Sequence, residues 1–314
     1  MSARPILCLA ISPAVQRTLF MDILRPGEVN RAKRTRISAA GKGVNVATVL
    51  ARLGAPARLV GMRGGPDGEW IARELAALGV DARWTETRAP TRHCHTVVEG
   101  EGTRITELVE ETATPAESEW RAFDQAVAAA LTGCSWLAIS GALPPGVPVA
   151  RLAELGEQAR AAGAKLFIDS QGAPLRAALD AKPAIVKLNV EELTATTGRP
   201  ADEEADRWIA MQELRSLGAG AILVTDGARD AFLRSDAGRW RLTPPRVDVL
   251  NPIGSGDAVS AGLLVELERG APLPDAAAFG LACGSANALT EIPALLDPAT
   301  ARELCARVVQ TAAE

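Results

Sequence analysis

Histidine is nearly absent from this chain of 314 residues: His93 and His95 are the only two. An HxH pair can bind a metal, but no third ligand stands near it, so no metal site is expected there. Cysteine is equally uninformative. Cys8, Cys94, Cys134, Cys283 and Cys305 make an odd count with no CxxC pair, which argues against both a disulfide framework and a zinc site. No apolar run approaches the ~20 residues of a membrane-spanning helix. The run Ile6–Ile11 is too short for a signal-peptide core, so a cytoplasmic protein with no membrane partner is expected. An excess of positive charge is missing too. Lys and Arg number 34 against 38 Asp and Glu, a net charge of −4, which argues against a nucleic-acid partner. The one basic cluster is Arg31, Lys33, Arg34 and Arg36. Its spacing suits one face of a strand or the rim of an anionic-ligand site, and a solvated face accounts for it equally well. Repeats and low-complexity linkers are also lacking, so one domain over 1–314 is expected.

What is present is ordinary in amount and ordered in pattern. Hydrophobic residues make up 47% and charged residues 23%, enough to bury a large core. Short apolar runs at Ile6–Ile11, Arg58–Gly61, Trp136–Ser140, Lys165–Asp169, Ala184–Leu188 and Ala221–Thr225 read as strands buried on both faces. Amphipathic stretches at Glu69–Leu78, Ala116–Leu131, Val149–Ala162 and Glu203–Leu217 alternate with them as helices. This predicts an α/β fold with a doubly wound, mostly parallel sheet flanked by helices. Two mixed segments, about 15–38 and 91–107, carry turn residues such as Pro26–Gly27 and Gly100–Gly102. They read as strands of a small inserted β-sheet, a lid over the site or an edge extension. Ser140, Asp169, Asn189 and Thr225–Asp226 fall at strand carboxyl ends, the edge where open parallel sheets bind ligands.

Three motifs carry chemistry. The strongest is Asn251-Pro252-Ile253-Gly254-Ser255-Gly256-Asp257-Ala258, opening a helix to about Glu268. Gly254 and Gly256 let backbone amides approach an anion at a helix N-terminus, where the helix dipole favours negative charge. Asp257 then stands beside that anion as a base, or is simply an N-terminal helix residue. The second motif, Gly41-Lys42-Gly43-Val44-Asn45, also leads into a helix. It places a lysine charge for a phosphate or forms a glycine-rich turn with a solvated lysine. Val46 stands where GxGxxG needs glycine, and GxxxxGK[ST] is absent, so neither the dinucleotide fingerprint nor a P-loop applies. In the third, Lys187-Leu188-Asn189-Val190-Glu191-Glu192, the oxygens of Asn189 and Glu192 share a helix face. They suit a hydrated Mg²⁺ or a capping box.

Together and in this order, these motifs resemble the ribokinase-like (PfkB) carbohydrate kinases over essentially the whole chain. GKGVNVATVLARLG is similar to the family's N-terminal signature, and NPIGSGDAVSAG to its C-terminal one. Ser12-Pro13-Ala14, Gly27-Glu28-Val29-Asn30-Arg31, Thr91-Arg92 and Ser140-Gly141-Ala142-Leu143-Pro144-Pro145-Gly146 resemble the branch acting on phosphorylated hexoses, which holds 1-phosphofructokinases and tagatose-6-phosphate kinases. The resemblance implies ATP and Mg²⁺ as cofactors, with Asp257 as base and Gly254, Ser255 and Gly256 as anion hole. It implies Gln16, Gly41, Lys42, Asn45, Arg92 and Ser140 at the sugar phosphate, with Lys42 and Arg92 converging on its phosphate. Lys187, Asn189, Thr225, Gly227 and Asn287 would lie at the nucleotide, and Asn189 with Glu192 at the metal. The lid would form a homodimer contact. Two positions depart from the pattern. Gln16 replaces an aspartate expected to bind sugar hydroxyls, and Asp226 replaces an apolar residue. Fructose 1-phosphate is the expected acceptor, with tagatose 6-phosphate next. A free-sugar or nucleoside kinase, or a non-catalytic sugar-phosphate-binding protein on the same fold, are the alternatives.

Overall fold

The computed structural model describes residues 3–100 and 104–313. In chain order, β1 (Ile6–Ala10) leads to β2 (Ala14–Met21), β3 (Arg34–Ala40), α1 (Lys42–Arg52) and β4 (Ala57–Arg63). Then come α2 (Gly65–Ala77), β5 (Asp81–Glu86), β6 (Arg92–Glu99), β7 (Arg104–Val109), α3 (Glu117–Ala130), β8 (Trp136–Ser140), α4 (Ala150–Ala161) and β9 (Lys165–Asp169). The next elements are α5 (Gly172–Ala178), β10 (Ile185–Asn189), α6 (Val190–Thr197), α7 (Glu204–Ser216) and β11 (Ala221–Asp226). The chain closes with β12 (Arg229–Ser235), β13 (Gly238–Thr243), α8 (Ser255–Glu268), α9 (Leu273–Ala288), α10 (Pro298–Cys305) and β14 (Val309–Ala313).

Ten strands among the described residues form one sheet in the order β14-β13-β12-β11-β10-β9-β8-β1-β4-β5. From β5 to β11 every pairing is parallel, and β12 to β14 extend the sheet antiparallel. The central strands are apolar on both faces because both faces are covered. Ile6, Cys8 and Ala10 pack with α1, α8 and α9, whereas Leu7 and Leu9 pack with α3 and α4. This is the expected α/β class. The two inserted segments form the separate small sheet β3-β2-β6-β7. Glu101, Gly102 and Thr103, which include part of the expected Gly100–Gly102 turn, lie outside the described residues.

Side chains alternate across the small sheet. Ser38, Gln16, Cys94 and Val109 are register partners across its four strands, and Ile37, Arg17, His95 and Leu108 form the next row on the opposite face. The face bearing Gln16 also carries Arg34 and Arg36, whose guanidiniums reach Glu291 in the main body. The basic cluster is therefore partly a contact between the small sheet and the segment after α9 rather than a wholly solvated face.

Candidate active site

The site begins where β8, β9 and β10 end, on Ser140, Asp169 and Asn189. Asp169 is fully buried and accepts from three donors: Lys187 Nζ at 2.9 Å, Lys42 Nζ at 3.2 Å and Ser260 Oγ at 3.1 Å. Burial alone would raise its pKa, but the two lysines prevail and hold it near 2. Lys42 arrives from the first residue of α1 and also lies 3.3 Å from Glu192 Oε1. Asp169 above all, then Glu192 and Asp257, lift the lysine above its ordinary value against the opposing effect of burial, so it stays cationic.

Asp257 occupies the first turn of α8 and is buried. Its Oδ2 accepts from Asn45 Nδ2 at 2.7 Å. Desolvation pushes its carboxyl up to about 6, with Lys42 pulling the other way. Burial thus sets two neighbouring aspartates apart: Asp169 has lysines in direct contact, and Asp257 has an amide. Asn45 Oδ1 and Ser140 Oγ are buried with no hydrogen-bond partner among the described residues, so polar capacity remains for a ligand.

The chain can enter α8 this way only through glycine. Gly254 has φ 79°, and a Cβ there would sit 2.8 Å from Pro293 Cβ. A Cβ on Gly256 would sit 2.8 Å from Lys187 Nζ. The lysine ammonium is therefore packed directly under the start of α8, whose first amides have no intrahelical acceptor. A positive pole and a buried cation meet at that turn.

A cavity of about 200 Å³ meets this cluster at Lys42 and Ser140, whereas Asp257, Asn45 and residues 254–256 do not line it. Gly41, Lys42, Arg92 and Ser140 line it, together with Thr112 and the Gly141–Pro145 segment. The Arg92 guanidinium donates to Glu110 O at 2.8 Å and reaches Ser12 O at 3.5 Å, and it has no carboxylate partner among the described residues.

Several residues expected at the site have other engagements. Gln16 does not line the cavity; it is buried in the small sheet, donating from Nε2 to Thr96 Oγ1 at 2.8 Å. Asn189 and Glu192 form a reciprocal capping box, with Glu192 N to Asn189 Oδ1 at 2.7 Å and Asn189 N to Glu192 Oε2 at 2.8 Å. The Asn189 oxygen is thus a helix cap, and Glu192 Oε1 is the one oxygen of the pair that points to the site. Asn287 was expected at the nucleotide, but both its amide hydrogens are used on the 251–256 loop. They go to Ile253 O at 2.9 Å and Ser255 Oγ at 3.2 Å, and its oxygen takes Ala294 N at 2.8 Å. It is a clamp for the loop. Thr225 Oγ1 reaches Leu188 O at 3.4 Å, and Gly227 sits with φ 57° in the turn into β12; neither lines the cavity. The unexpected Asp226 is held by Arg229 at 2.6 Å and Arg207 at 3.4 Å.

Among the described residues, no group of three or more His, Cys, Asp or Glu is placed to hold a metal, the His93–His95 pair included. No helix among them is long and apolar enough to cross a membrane. Asp169, the hub of the cluster, was visible in sequence only as a polar strand end.

The model of the pfkB family carbohydrate kinases matches residues 7–296. The chain belongs to this family. It is an ATP-dependent sugar kinase, as expected from the motifs. It is 34% identical over 306 residues to a 1-phosphofructokinase of Rhodobacter capsulatus, covering 96% of this chain and 95% of that protein. Phosphofructokinase-2 of Escherichia coli, solved in a tetrameric inhibited form, superposes with a TM-score of 0.88 at 28% identity, covering 98% of this chain and 99% of that one. Its complex with fructose-6-phosphate matches equally, with a TM-score of 0.88 at 28% identity and the same coverage of 98% and 99%. Arabidopsis thaliana ribokinase, complexed with ribose and ATP, shares the fold with a TM-score of 0.76 at 20% identity, over 97% of this chain and 99% of that one.

Proposed function

We propose that this kinase transfers the γ-phosphoryl group of ATP to fructose 1-phosphate, giving fructose 1,6-bisphosphate and ADP. One observation carries the reading. A buried carboxylate, Asp257, with its pKa raised to about 6, stands at a helix start and is coupled electrostatically to Lys42, which lines a cavity together with Arg92. The identity to the Rhodobacter capsulatus 1-phosphofructokinase supports the choice of acceptor.

In this mechanism Asp257 accepts the proton of the acceptor hydroxyl as its oxygen attacks the γ-phosphorus. The bond from that phosphorus to the β,γ-bridging oxygen breaks, and ADP leaves. A base with a pKa close to the working pH is suited to such transfer. Asn45 orients the carboxylate through its 2.7 Å hydrogen bond. Amides at the start of α8 and the Lys187 ammonium stabilise negative charge on the moving phosphoryl group, which is where most of the catalysis of phosphoryl transfer resides. Lys42 and Arg92 hold the phosphate already on the sugar, Arg92 as a planar fork.

Glu192 would hold a hydrated Mg²⁺ through Oε1, which is free of the cap and shared with Lys42 at 3.3 Å, since such ions commonly take one carboxylate alongside waters and substrate phosphates. When bound, that ion neutralises charge on the donor phosphates. The activity belongs in the cytoplasm, where ATP is supplied.

We also propose that the small sheet pairs with a second copy of this chain. Its outer face exposes Ile37 by 48% and Leu108 by 57% in one cross-strand row, and the similar phosphofructokinase-2 was solved as a tetramer. Light scattering of Ile37→Asp against the native chain tests this: a smaller particle is expected, and an unchanged one removes the contact.

The substrate test is ADP release with Mg²⁺·ATP over fructose 1-phosphate, fructose 6-phosphate, tagatose 6-phosphate, free fructose and ribose. The highest kcat/KM is expected with fructose 1-phosphate. Turnover confined to unphosphorylated sugars would defeat the reading.

A further inference from the structure

A second cavity, of about 210 Å³, lies on the far side of Arg92. It is as large as the acceptor cavity, at about 200 Å³, and the two share Ile11, Pro13, Arg92 and Thr112 as a common wall. Its other walls are mainly apolar, with Met62, Ala89, Pro90, Ala113 and Pro115.

The charges around it are unequally matched. Arg63 is neutralised by Glu86 at 2.7 Å. Arg88 and Arg92 have no carboxylate partner among the described residues, and Arg92 Nε is buried with no acceptor. Glu119 is the carboxylate in the lining, and its oxygens are taken by backbone amides, Arg88 N at 2.7 Å and Ala116 N at 2.7 Å. A largely apolar chamber with two guanidiniums that lack a carboxylate partner suits a ligand with one anionic head and an apolar body.

The chamber is also preformed. The 87–91 loop is fastened to the end of β4 by Thr87 N to Arg63 O at 2.7 Å and Thr91 N to Gly64 O at 2.9 Å. Gly64 N adds a bond to Thr91 Oγ1 at 3.1 Å. A ligand entering it would not have to order the loop first.

We propose that this second cavity binds a small organic anion, a phosphomonoester or carboxylate with an apolar body, and that its occupancy weakens acceptor binding through Arg92. A head group that engages Arg92 from this side takes donors from the acceptor cavity. The Ser12–Thr112 hydroxyl contact lies in the same dividing wall. The effect on the acceptor rests on the function proposed above, whereas binding to the cavity does not.

The probes are phenyl phosphate, benzoate and inorganic phosphate, titrated by calorimetry into the full chain without acceptor or ATP. Phenyl phosphate or benzoate is expected to bind at least tenfold more tightly than inorganic phosphate, and whichever of the two is tighter identifies the head group. Arg88→Ala and Ala113→Phe alter this cavity and lie outside the acceptor cavity. Each should weaken the tighter probe at least tenfold while leaving kcat and acceptor KM unchanged without probe. Lys42→Ala, on the acceptor side, should leave probe affinity intact. In assays the probe should raise acceptor KM and leave kcat alone. Three results overturn the proposal: no binding at millimolar probe, affinity unchanged in both Arg88→Ala and Ala113→Phe, or affinity lost in Lys42→Ala. The last would place the probe in the acceptor cavity.

Discussion

Asp169 and Glu291 are each a single carboxylate gripped by two cations, yet they stand in opposite surroundings. Asp169 holds Lys42 and Lys187 with its own side chain fully buried. Glu291 holds Arg34 at 2.7 Å and Arg36 at 2.8 Å with its side chain 25% exposed and the arginines 45% and 47% exposed. In the interior the carboxylate is hard to remove, because Lys187 would be left buried with no water to turn to, although Lys42 is partly exposed at the cavity. At the surface, solvent and salt stand ready to replace either partner. The buried cluster therefore fixes the geometry for chemistry, and the exposed one makes an adjustable joint between the small sheet and the main body.

The largest effect should come from the interior. Asp257→Asn keeps the shape and the Asn45 contact but cannot take a proton, so kcat should fall by roughly 10²–10⁴-fold with the melting temperature nearly unchanged. In the native chain kcat/KM should fall as pH drops through about 6, because protonation of Asp257 removes the base. A variant with near-native kcat would reduce Asp257 to a helix-start residue.

Asp169→Asn should be the most destabilising single change, by about 3–5 kcal/mol in urea unfolding, because it leaves Lys187 buried without a counter-charge. Its pH signature follows from the direction of the shift. The folded-state pKa, near 2, lies below the ordinary aspartate value of 3.8. The stabilisation is therefore complete above about 3.8 and is lost as pH falls toward 2. The variant should lack that acid-linked component. A loss below 1 kcal/mol would erase the contrast with Glu291.

Lys42 and Arg92 sharpen the comparison inside the site. Replacing either with Ala should raise KM for the sugar phosphate roughly ten- to a hundred-fold, with KM for ATP nearly unchanged. Only Lys42→Ala should also move the acid limb of kcat/KM to higher pH, since Lys42 favours the charged form of Asp257. Identical pH profiles in the two variants would separate Lys42 from the base.

Legibility in the sequence followed the same divide between interior and rim. The strands Trp136–Ser140 and Lys165–Asp169 were readable to the residue, because burial on both faces leaves an unbroken apolar run. The antiparallel extension β12–β14 was not readable, since Arg229, Arg234, Arg239 and Arg241 interrupt strands that are only half covered. Asp169 closed a readable strand, but its role depends on Lys187 and Lys42, 18 and 127 residues away. Nothing local in the sequence encodes that convergence. The Asn189–Glu192 spacing was visible, whereas the capping bond that Asn189 Oδ1 accepts from Glu192 N is seen only in the fold. Asn287 gave no signal of its clamp, because its partners Ile253, Ser255 and Ala294 meet it only through packing of α9 against α8.

The smallest effect is expected at the surface joint, and it is the one that tests whether the joint matters. Arg34 and Arg36 are two residues apart on β3, so both point to one face and converge on Glu291. Arg34 is further held over Phe20 at 4.4 Å. On the other side, Glu291 O accepts from Asn251 Nδ2 at 3.0 Å, at the start of the loop that carries Gly254. Glu291 thus joins the small sheet through its carboxylate and the loop that carries Gly254 through its backbone carbonyl. Glu291→Gln should cost less than about 2 kcal/mol in stability, because the two exposed pairs it weakens contribute only about 0.2–1 kcal/mol each. Acceptor KM should rise no more than about fivefold, a fraction of that energy. The distinguishing reading is ionic strength. Native acceptor KM should climb more steeply with added salt than that of Glu291→Gln, because salt already weakens in the native chain what the variant lacks. Parallel salt curves, or destabilisation matching Asp169→Asn, would mean that the joint is as rigid as the core.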